Sequence, residues 1–145
     1  MTNHGVSFSG ANAPRILCVD DDPDISENIE LRLWQYDVEV VRAFHGMHGL
    51  SLATSERPDL IITDLRMPQG SGEFIVKSLR KNPATKGIPI IVFTGRQNHQ
   101  LEAMATRHSV DAVLSKPIQY KDLVAAIGRF VPLRIRNPHE AANEF

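Results

Sequence analysis

Several side chains that could bind a metal ion or a phosphoryl group lie just beyond the carboxyl ends of short apolar runs of this sequence. They are four carboxylates, a hydroxyl and an ammonium group: Asp20, Asp21, Asp22, Asp64, Thr94 and Lys116. Carboxylates held within several ångströms of one another repel, unless one is protonated or a cation lies among them. Because the groups on offer are oxygen ligands, the cation would be a hard ion such as Mg²⁺ or Ca²⁺.

This combination of groups predicts phosphoryl transfer to an aspartate. Mg²⁺ typically takes one or two carboxylates and shares a phosphate, and a lysine and a threonine would bind the remaining phosphoryl oxygens. Asp64 ends its apolar run alone, which makes it the natural nucleophile. Asp20 and Asp21 are then the metal ligands, whereas Asp22 precedes Pro23 and is explained by helix capping alone.

Five strand–helix alternations must position these groups. The strand-like runs are Ile16–Val19, Val38–Val41, Leu60–Ile62, Ile88–Phe93 and Ala112–Leu114. This rhythm predicts an α/β fold, a single doubly wound (βα)5 domain with a parallel sheet covered on both faces. The second and fifth runs are the shortest or most polar and suit the edges, so the predicted strand order is 2-1-3-4-5. In such a sheet ligands bind beyond the carboxyl ends of the strands.

Apolar residues at helical spacing predict the first, third and fifth helices. Their stripes are Ile25, Ile29, Leu33 and Tyr36, then Phe74, Ile75, Ser78 and Leu79, and finally Tyr120, Leu123, Val124, Ile127 and Val131. Asn82-Pro83 should end the third helix and Pro132 the last. The second helix, near residues 45–55, and the fourth, near 97–107, have weaker stripes. Three methionines are predicted to pack inside the domain: Met47, Met67 and Met104.

Composition narrows the class of protein. The chain has 145 residues, of which 42% are hydrophobic and 23% charged, with a net charge of −1. It therefore fits one globular domain and lacks the global basic charge that would bind nucleic acid or an anionic membrane. A single cysteine and the lack of a membrane-length apolar run favour the cytoplasm. The predicted domain spans residues 15–131, between a leader (1–14) and a tail (132–145).

Four short motifs at the strand ends resemble the receiver domain of two-component response regulators, of the chemotaxis-regulator type. They are ILCVDD at Ile16–Asp21, IITDLRMP at Ile61–Pro68, VFTG at Val92–Gly95 and LSKP at Leu114–Pro117, whose proline is cis in that family. The resemblance covers residues 15–131 and implies a flavodoxin-like fold. It also implies a phosphoprotein switch rather than an enzyme, with self-phosphorylation and self-dephosphorylation as its chemistry.

The resemblance implies a role for each motif residue. Asp64 would be the phosphoacceptor, with Thr94 and Lys116 binding the phosphoryl group. Mg²⁺ would be held by Asp20, Asp21, Asp64 and the main-chain carbonyl of Arg66. The implied partners are a sensor histidine kinase or histidine phosphotransfer protein and a downstream protein target, with a possible phosphorylation-linked dimer. The target would read the face formed by the fourth helix, fifth strand and fifth helix, with no direct contact to nucleic acid or membrane.

The sequence departs from the family pattern at several positions. Val113 stands where the family usually has an aromatic switch residue, and Ser71 replaces the usual aspartate before Gly72. Ser109-Val110 replaces a small Gly-Ala pair. Arg66 and Arg96 occupy the variable positions beside the path of the attacking water, where they could clamp the phosphoryl group or block water. We therefore predict slow self-dephosphorylation.

Other functions stay open at this point. A haloacid-dehalogenase-type Mg²⁺ phosphohydrolase would use Asp20 as its nucleophile, although this sequence lacks that family's later acidic pair. A flavin carrier would need a phosphate-cradling loop after the first strand, which is missing. The chain could also be a receiver module excised from a longer regulator with a DNA-binding or enzymatic output domain. His45 and His48, one turn apart, are predicted to lie on a surface helix rather than to bind metal.

Overall fold

The elements of secondary structure alternate regularly in a computed structural model that describes residues 13–65, 72–95 and 99–137. The strands are β1 (Arg15–Val19), β2 (Glu39–Ala43), β3 (Leu60–Asp64), β4 (Ile90–Thr94) and β5 (Ala112–Ser115). The helices are α1 (Pro23–Arg32), α2 (Gly46–Glu56), α3 (Gly72–Lys81), α4 (His99–Arg107) and α5 (Tyr120–Gly128). Within the described ranges, no helix is long and apolar enough to cross a membrane.

The five strands form one parallel sheet in the order β2-β1-β3-β4-β5, which confirms the predicted flavodoxin-like topology. Every residue of β3 and β4 is buried, whereas most residues of β2 and β5 are half-buried. Central strands are covered by helices on both faces, and edge strands are covered less completely. The sequence pattern therefore identified the edges correctly.

Two apolar cores lie on opposite faces of the sheet. On one face, Ile16 and Phe93 pack with residues of α1 and α5, including Ile29 and Leu123. On the other face, the neighbouring strand residues pack against α2, α3 and α4. This separation results from the alternation of side chains along each strand.

Helices α1 and α2 begin with a local side-chain hydrogen bond. Asp22 is the N-cap of α1 and accepts a hydrogen bond from the Asp24 N–H at 3.0 Å, with Pro23 at the first helical position, as predicted. His45 is the N-cap of α2, and its Nδ1 accepts a hydrogen bond from the His48 N–H at 3.2 Å. The two histidines are therefore joined by helix capping.

Some packing predictions were wrong. Met47 and Phe74 are about half exposed, at 56% and 49%, whereas Met104 is buried as predicted. The buried face of α3 includes Val76 beside Ile75 and Leu79, which turns Phe74 outward. Met67 lies outside the described residues.

The ends of the helices match the sequence signals only in part. Helix α3 ends at Lys81, directly before Asn82-Pro83. Helix α5 ends at Gly128, several residues before Pro132, so proline marks the end of the helix only approximately.

The chain continues to make contacts beyond residue 131, where the motif match ends. Ile135 forms an antiparallel bridge with Tyr36 in the loop after α1. The Asp37 N–H donates to the Arg134 carbonyl at 2.7 Å, and the Arg136 N–H donates to the Gln35 carbonyl at 2.8 Å. Residues 134–136 are thus tied to the α1–β2 loop at the amino end of the sheet, and we call them the tail clasp.

Candidate functional site

The register of the sheet brings the candidate site residues to one edge. Asp64 lies opposite Phe93, the residue before Thr94, and Thr94 lies opposite Ser115, the residue before Lys116. Asp20 comes directly after β1, and its N–H donates to the Ala43 carbonyl at 3.0 Å. Since all five strands are parallel, these residues meet beyond their carboxyl ends.

Three aspartates form an acidic cluster at this edge. Each of Asp20, Asp21 and Asp64 offers a carboxylate oxygen, and the three oxygens lie within 4.8 Å of one another. Asp20 is fully buried and Asp64 is 5% exposed, whereas Asp21 is exposed to solvent. Buried carboxylates are costly without a counterion, so this arrangement favours a cation.

Lys116 is shared between the two buried carboxylates. Its Nζ lies 3.3 Å from Asp20 Oδ2 and 3.4 Å from Asp64 Oδ2. Its main-chain N–H donates to the Thr94 carbonyl at 2.8 Å, which ties the lysine to the end of β4. The next peptide bond, Lys116–Pro117, is cis.

The surroundings of Asp20 and Lys116 shift the pKa values of both side chains. Burial raises the pKa of Asp20, and the nearby Asp64 charge adds to the rise, against the opposing effects of the Asp22 N–H and Lys116. For Lys116, burial alone would lower the pKa, but Asp20 and Asp64 outweigh that effect and raise it. The lysine therefore stays charged, while the buried carboxylates carry a surplus of negative charge that a bound cation would relieve.

The backbone around Asp64 is fixed by short-range hydrogen bonds. Asp64 Oδ1 accepts a hydrogen bond from the Leu65 N–H at 2.8 Å, which leaves Oδ2 as the oxygen that faces Lys116. The Gly72 N–H donates to the Leu65 carbonyl at 2.9 Å. A Cβ at Gly72 would lie 2.3 Å from Leu65 Cα and 2.8 Å from the Asp64 carbonyl oxygen, so only glycine fits where α3 crosses the end of β3.

Of the remaining residues named in the sequence analysis, some lie within the described ranges and others lie outside them. Thr94 is buried at the end of β4, and Val113 is half-buried against the core beneath α3 and α4. Arg66, Arg96 and Ser71 lie outside the described residues, so the Arg66 carbonyl as a metal ligand stays a prediction. The structure thus gathers Asp20, Asp21, Asp64 and Lys116, and leaves Asp22 as a helix cap.

The donor set fits Mg²⁺. Three carboxylates from two chain segments meet at one point, and Mg²⁺ prefers oxygen ligands and is commonly held by one or two carboxylates together with phosphate oxygens. Two of the three carboxylates are buried beside a single lysine, which leaves negative charge for a divalent cation to neutralise. A thiolate or imidazole ligand would favour other metals, and the cluster contains neither.

Known proteins resemble this chain in sequence and in structure. The DNA-binding dual master transcriptional regulator RpaA of Synechocystis is 31% identical over 128 residues, which cover 88% of this chain and 53% of RpaA. Protein PilH of Pseudomonas aeruginosa is 30% identical over 113 residues, 78% of this chain and 93% of PilH. Chemotaxis protein CheY4 of Vibrio cholerae superposes with a TM-score of 0.78 at 27% identity, over 83% of this chain and 100% of CheY4.

The extent of these matches differs between relatives. The chain spans about half the length of RpaA and 8% of hybrid signal transduction histidine kinase D of Dictyostelium discoideum. Residues 16–128 match the response regulator receiver domain. Because that match covers most of the chain and agrees with the sheet order and the acidic cluster, the chain belongs to the response regulator receiver domain family of two-component systems.

Proposed function

We propose that this protein is a phosphoacceptor switch that receives a phosphoryl group on Asp64. The observation that carries the proposal is the Asp64 carboxylate, nearly buried at a strand end, 3.4 Å from Lys116 and within 4.8 Å of the Asp20 and Asp21 carboxylates. The donor is a phosphohistidine of a sensor histidine kinase or of a histidine phosphotransfer protein. Family membership supports this donor class.

The transfer balances as a substitution at phosphorus. A carboxylate oxygen of Asp64 forms the new O–P bond while the P–N bond of the phosphohistidine breaks, and the electron pair of that bond stays on the imidazole nitrogen. The Lys116 ammonium pairs with the incoming phosphoryl oxygens. The Thr94 hydroxyl donates a hydrogen bond to one of them.

The residues that would hold Mg²⁺ are Asp20, Asp21, Asp64 and the main-chain carbonyl of Arg66. When bound, Mg²⁺ supplies positive charge that stabilises the phosphoryl oxygens during transfer. Asp20 and Asp21 then act as ligands and take no proton. The acyl phosphate forms on Asp64 alone, which separates this function from that of a phosphohydrolase with Asp20 as nucleophile.

The output of the switch is a change in protein contacts at the face formed by α4, β5 and α5. The downstream partner is a protein, with a phosphorylation-linked dimer as one form of that contact, and neither nucleic acid nor membrane is contacted directly. Val113 places no aromatic ring in β5, so the signal from Thr94 passes through the β4–α4 loop. Outside this chemistry we propose no enzymatic activity, and we place the switch in the cytoplasm.

Residues 15–131 form the receiver unit in this proposal. The match to RpaA covers 53% of that protein, whereas the match to PilH covers 93% of PilH. A receiver that belongs to a longer regulator would pass its signal to a DNA-binding or enzymatic output domain. The reading frame downstream of residue 131 distinguishes the two arrangements.

The decisive experiment is phosphorylation by acetyl phosphate with Mg²⁺, and then mass mapping of the acyl phosphate. We expect one phosphoryl group on Asp64 in the wild type and none in Asp64→Asn. The matched control is Asp59→Asn, an exposed aspartate before β3 whose Oδ2 accepts the Arg15 N–H, and it should be phosphorylated normally. A phosphoryl group on Asp20, with Asp64→Asn still labelled, would contradict the proposal.

The lifetime of the phosphoaspartate tests the two arginines predicted to slow its hydrolysis. We expect phosphorylated Arg66→Ala and Arg96→Ala to lose the phosphoryl group faster than the wild type, because water then reaches the phosphorus more easily. Release of inorganic phosphate after removal of acetyl phosphate measures the rate. Unchanged rates in both variants would refute the shielding hypothesis.

A further inference from the structure

Arg42 of β2 reaches across to the first turn of α1. Arg42 pairs in register with Cys18 of β1, and its Nε donates to Ser26 Oγ at 2.8 Å. Its Nη2 donates to the Pro23 carbonyl at 3.0 Å. One guanidinium thus holds two acceptors that belong to the same helical turn.

The guanidinium is itself held in place. Its carbon lies 5.3 Å from the centre of the Phe44 ring, and Nη1 lies 3.8 Å from a carboxylate oxygen of Glu30. Ser26 is fully buried, so its hydroxyl has little access to water as an alternative partner. A fork of donors in fixed geometry is the property that distinguishes arginine from lysine here.

Hydrogen bonds to residues of β2 hold both ends of the turn between β1 and α1, which carries Asp20 and Asp21 of the acidic cluster. Before the turn, the Asp20 N–H donates to the Ala43 carbonyl at 3.0 Å. After it, Arg42 holds the Pro23 carbonyl. Two consecutive residues of β2 therefore fix both ends of the segment that contains Asp21 and Asp22.

The position of this turn matters because the cluster draws its carboxylates from two segments. Asp20 and Asp21 come from the β1–α1 turn, and Asp64 comes from the end of β3. A small displacement of α1 relative to the sheet would move Asp21 and leave Asp64 where it is. Mg²⁺ tolerates little deviation from its preferred coordination geometry.

We infer that Arg42 is a positioning residue for the metal-binding carboxylates, acting through the Pro23 carbonyl and the Ser26 hydroxyl. The inference rests on the proposed function, since it concerns the same Mg²⁺ site. Its effect is geometric, because its guanidinium binds the Pro23 carbonyl and the Ser26 hydroxyl. Groups that orient metal ligands typically contribute 10- to 100-fold to metal affinity.

The test is the Mg²⁺ dissociation constant of the full chain, measured by isothermal titration calorimetry well below the unfolding temperature. We expect Arg42→Gln to weaken Mg²⁺ binding about 10-fold. Arg42→Lys should weaken it similarly, because an ammonium group keeps the charge but cannot hold both acceptors. Ser26→Ala should have a smaller effect, and the double variant should lose less than the sum of the two single losses.

Arg15→Gln is the matched control. Arg15 also joins the sheet to a helix, with Nη1 donating to the Glu56 carbonyl at 2.8 Å and Nε paired with Glu39 at 2.8 Å. It lies at the opposite end of the sheet, so its loss should lower thermal stability without changing Mg²⁺ affinity.

Three outcomes would overturn the inference while leaving the proposed function intact. They are wild-type Mg²⁺ affinity in Arg42→Gln, full restoration of affinity by Arg42→Lys, and equal weakening by Arg15→Gln. A wild-type protein that binds no Mg²⁺ would instead overturn both the proposed function and the inference drawn from it.

Discussion

At the amino end of the sheet, arginine donors face carbonyls and carboxylates that satisfy them, whereas at the carboxyl end two buried carboxylates share one lysine. Arg80 donates to the carbonyls of Lys86, Ile88, His108 and Ser109 and to the carboxylate of Asp111. Lys116, in contrast, lies between Asp20 and Asp64 at similar distances. The arginine contacts stabilise the amino end of the sheet, whereas the carboxyl end keeps a surplus of negative charge.

This contrast shows where the domain accepts an energetic cost. A fully paired network stabilises the ends of α3 and α4 and the starts of β4 and β5. The acidic cluster does the reverse, because burial opposes the charged form of Asp20. Substitutions in the arginine network at the amino end should therefore lower stability without changing Mg²⁺ affinity. Removal of a buried carboxylate at the carboxyl end should instead weaken Mg²⁺ binding and stabilise the metal-free protein.

The largest effect on stability is expected from Arg80→Met. The side chain is 17% exposed, and its loss leaves several partly buried carbonyls without a partner, so the free energy of unfolding should fall by about 3 kcal/mol. Urea denaturation monitored by circular dichroism measures the change. Mg²⁺ affinity of the folded fraction should stay at the wild-type value.

Lys86→Ala is the control for Arg80→Met, since Lys86 contributes its carbonyl and not its side chain to the network. It should change stability by less than about 0.5 kcal/mol. A loss equal to that of Arg80→Met would show that this end of the sheet is sensitive to any substitution.

Removal of residues 132–145 should give the next largest effect. The truncation deletes the tail clasp and its bonds to Gln35, Tyr36 and Asp37, with an expected loss of about 2 kcal/mol. Trp34 fluorescence should also change, because Arg136 lies 5.6 Å from the centre of its ring. A chain ending at Asn137 keeps the clasp contacts described above and serves as the control.

At the carboxyl end, Asp20→Asn should stabilise the metal-free protein by about 1 kcal/mol while it weakens Mg²⁺ binding. The native pKa of Asp20 is raised, so the native state binds this proton more tightly than the unfolded state does. The cost of the buried charge is therefore present at neutral pH and disappears as the pH falls through the native pKa. The advantage of the variant should shrink in the same range.

Thermal unfolding at several pH values, with and without Mg²⁺, tests this prediction. Asp22→Asn is the control within the same triplet, because asparagine caps a helix as well as aspartate does. It should alter neither stability nor Mg²⁺ affinity. If the metal-free Asp20→Asn protein were less stable than the wild type, burial of the Asp20 charge would not destabilise the native state.

The smallest effect concerns Glu73, which links the start of α3 to the end of α4. Its carboxylate accepts a hydrogen bond from Arg107 at 2.9 Å and lies 3.4 Å from His108 Nε2. Because the group is half exposed, Glu73→Gln should cost about 0.5 kcal/mol or less, and added salt should reduce the difference.

The pH dependence of Glu73 should run opposite to that of Asp20. The hydrogen bond from Arg107 lowers the pKa of Glu73, and the His108 contact also favours the charged form. Its contribution is therefore present above the unfolded-state pKa and is lost as the pH falls through the native one. Equal pH profiles for wild type and Glu73→Gln would contradict this assignment.

Local sequence signals were sufficient for the strand order, the sheet edges and the meeting of Asp20, Asp21, Asp64 and Lys116. These features depend on apolar runs and on the polar residues directly after them, both of which are visible within a short stretch of sequence. The Asp22 cap is equally local. Strand bounds moved by one or two residues, as in β4, which begins at Ile90 because Pro89 precedes it.

The bonds that hold the site in place were not predictable in the same way. Arg42 and Ser26 are 16 residues apart, and Arg80 and Asp111 are 31 apart. No spacing rule connects a β2 arginine to a helix start, because the contact exists only after the helix has packed on the sheet. Gly72 was equally hidden, since only the approach of Leu65 shows why a side chain cannot fit.

The shared lysine also has a consequence for the order in which a ribosome makes this chain. Lys116 comes 96 residues after Asp20, so a nascent chain displays both buried aspartates long before this counterion exists. Until β5 joins the sheet, closing the carboxyl edge would bury two like charges without Lys116 between them. The last strand therefore supplies the counterion of the two aspartates and also completes the sheet. We expect the domain to reach its native state only after Lys116 has left the exit tunnel of the ribosome.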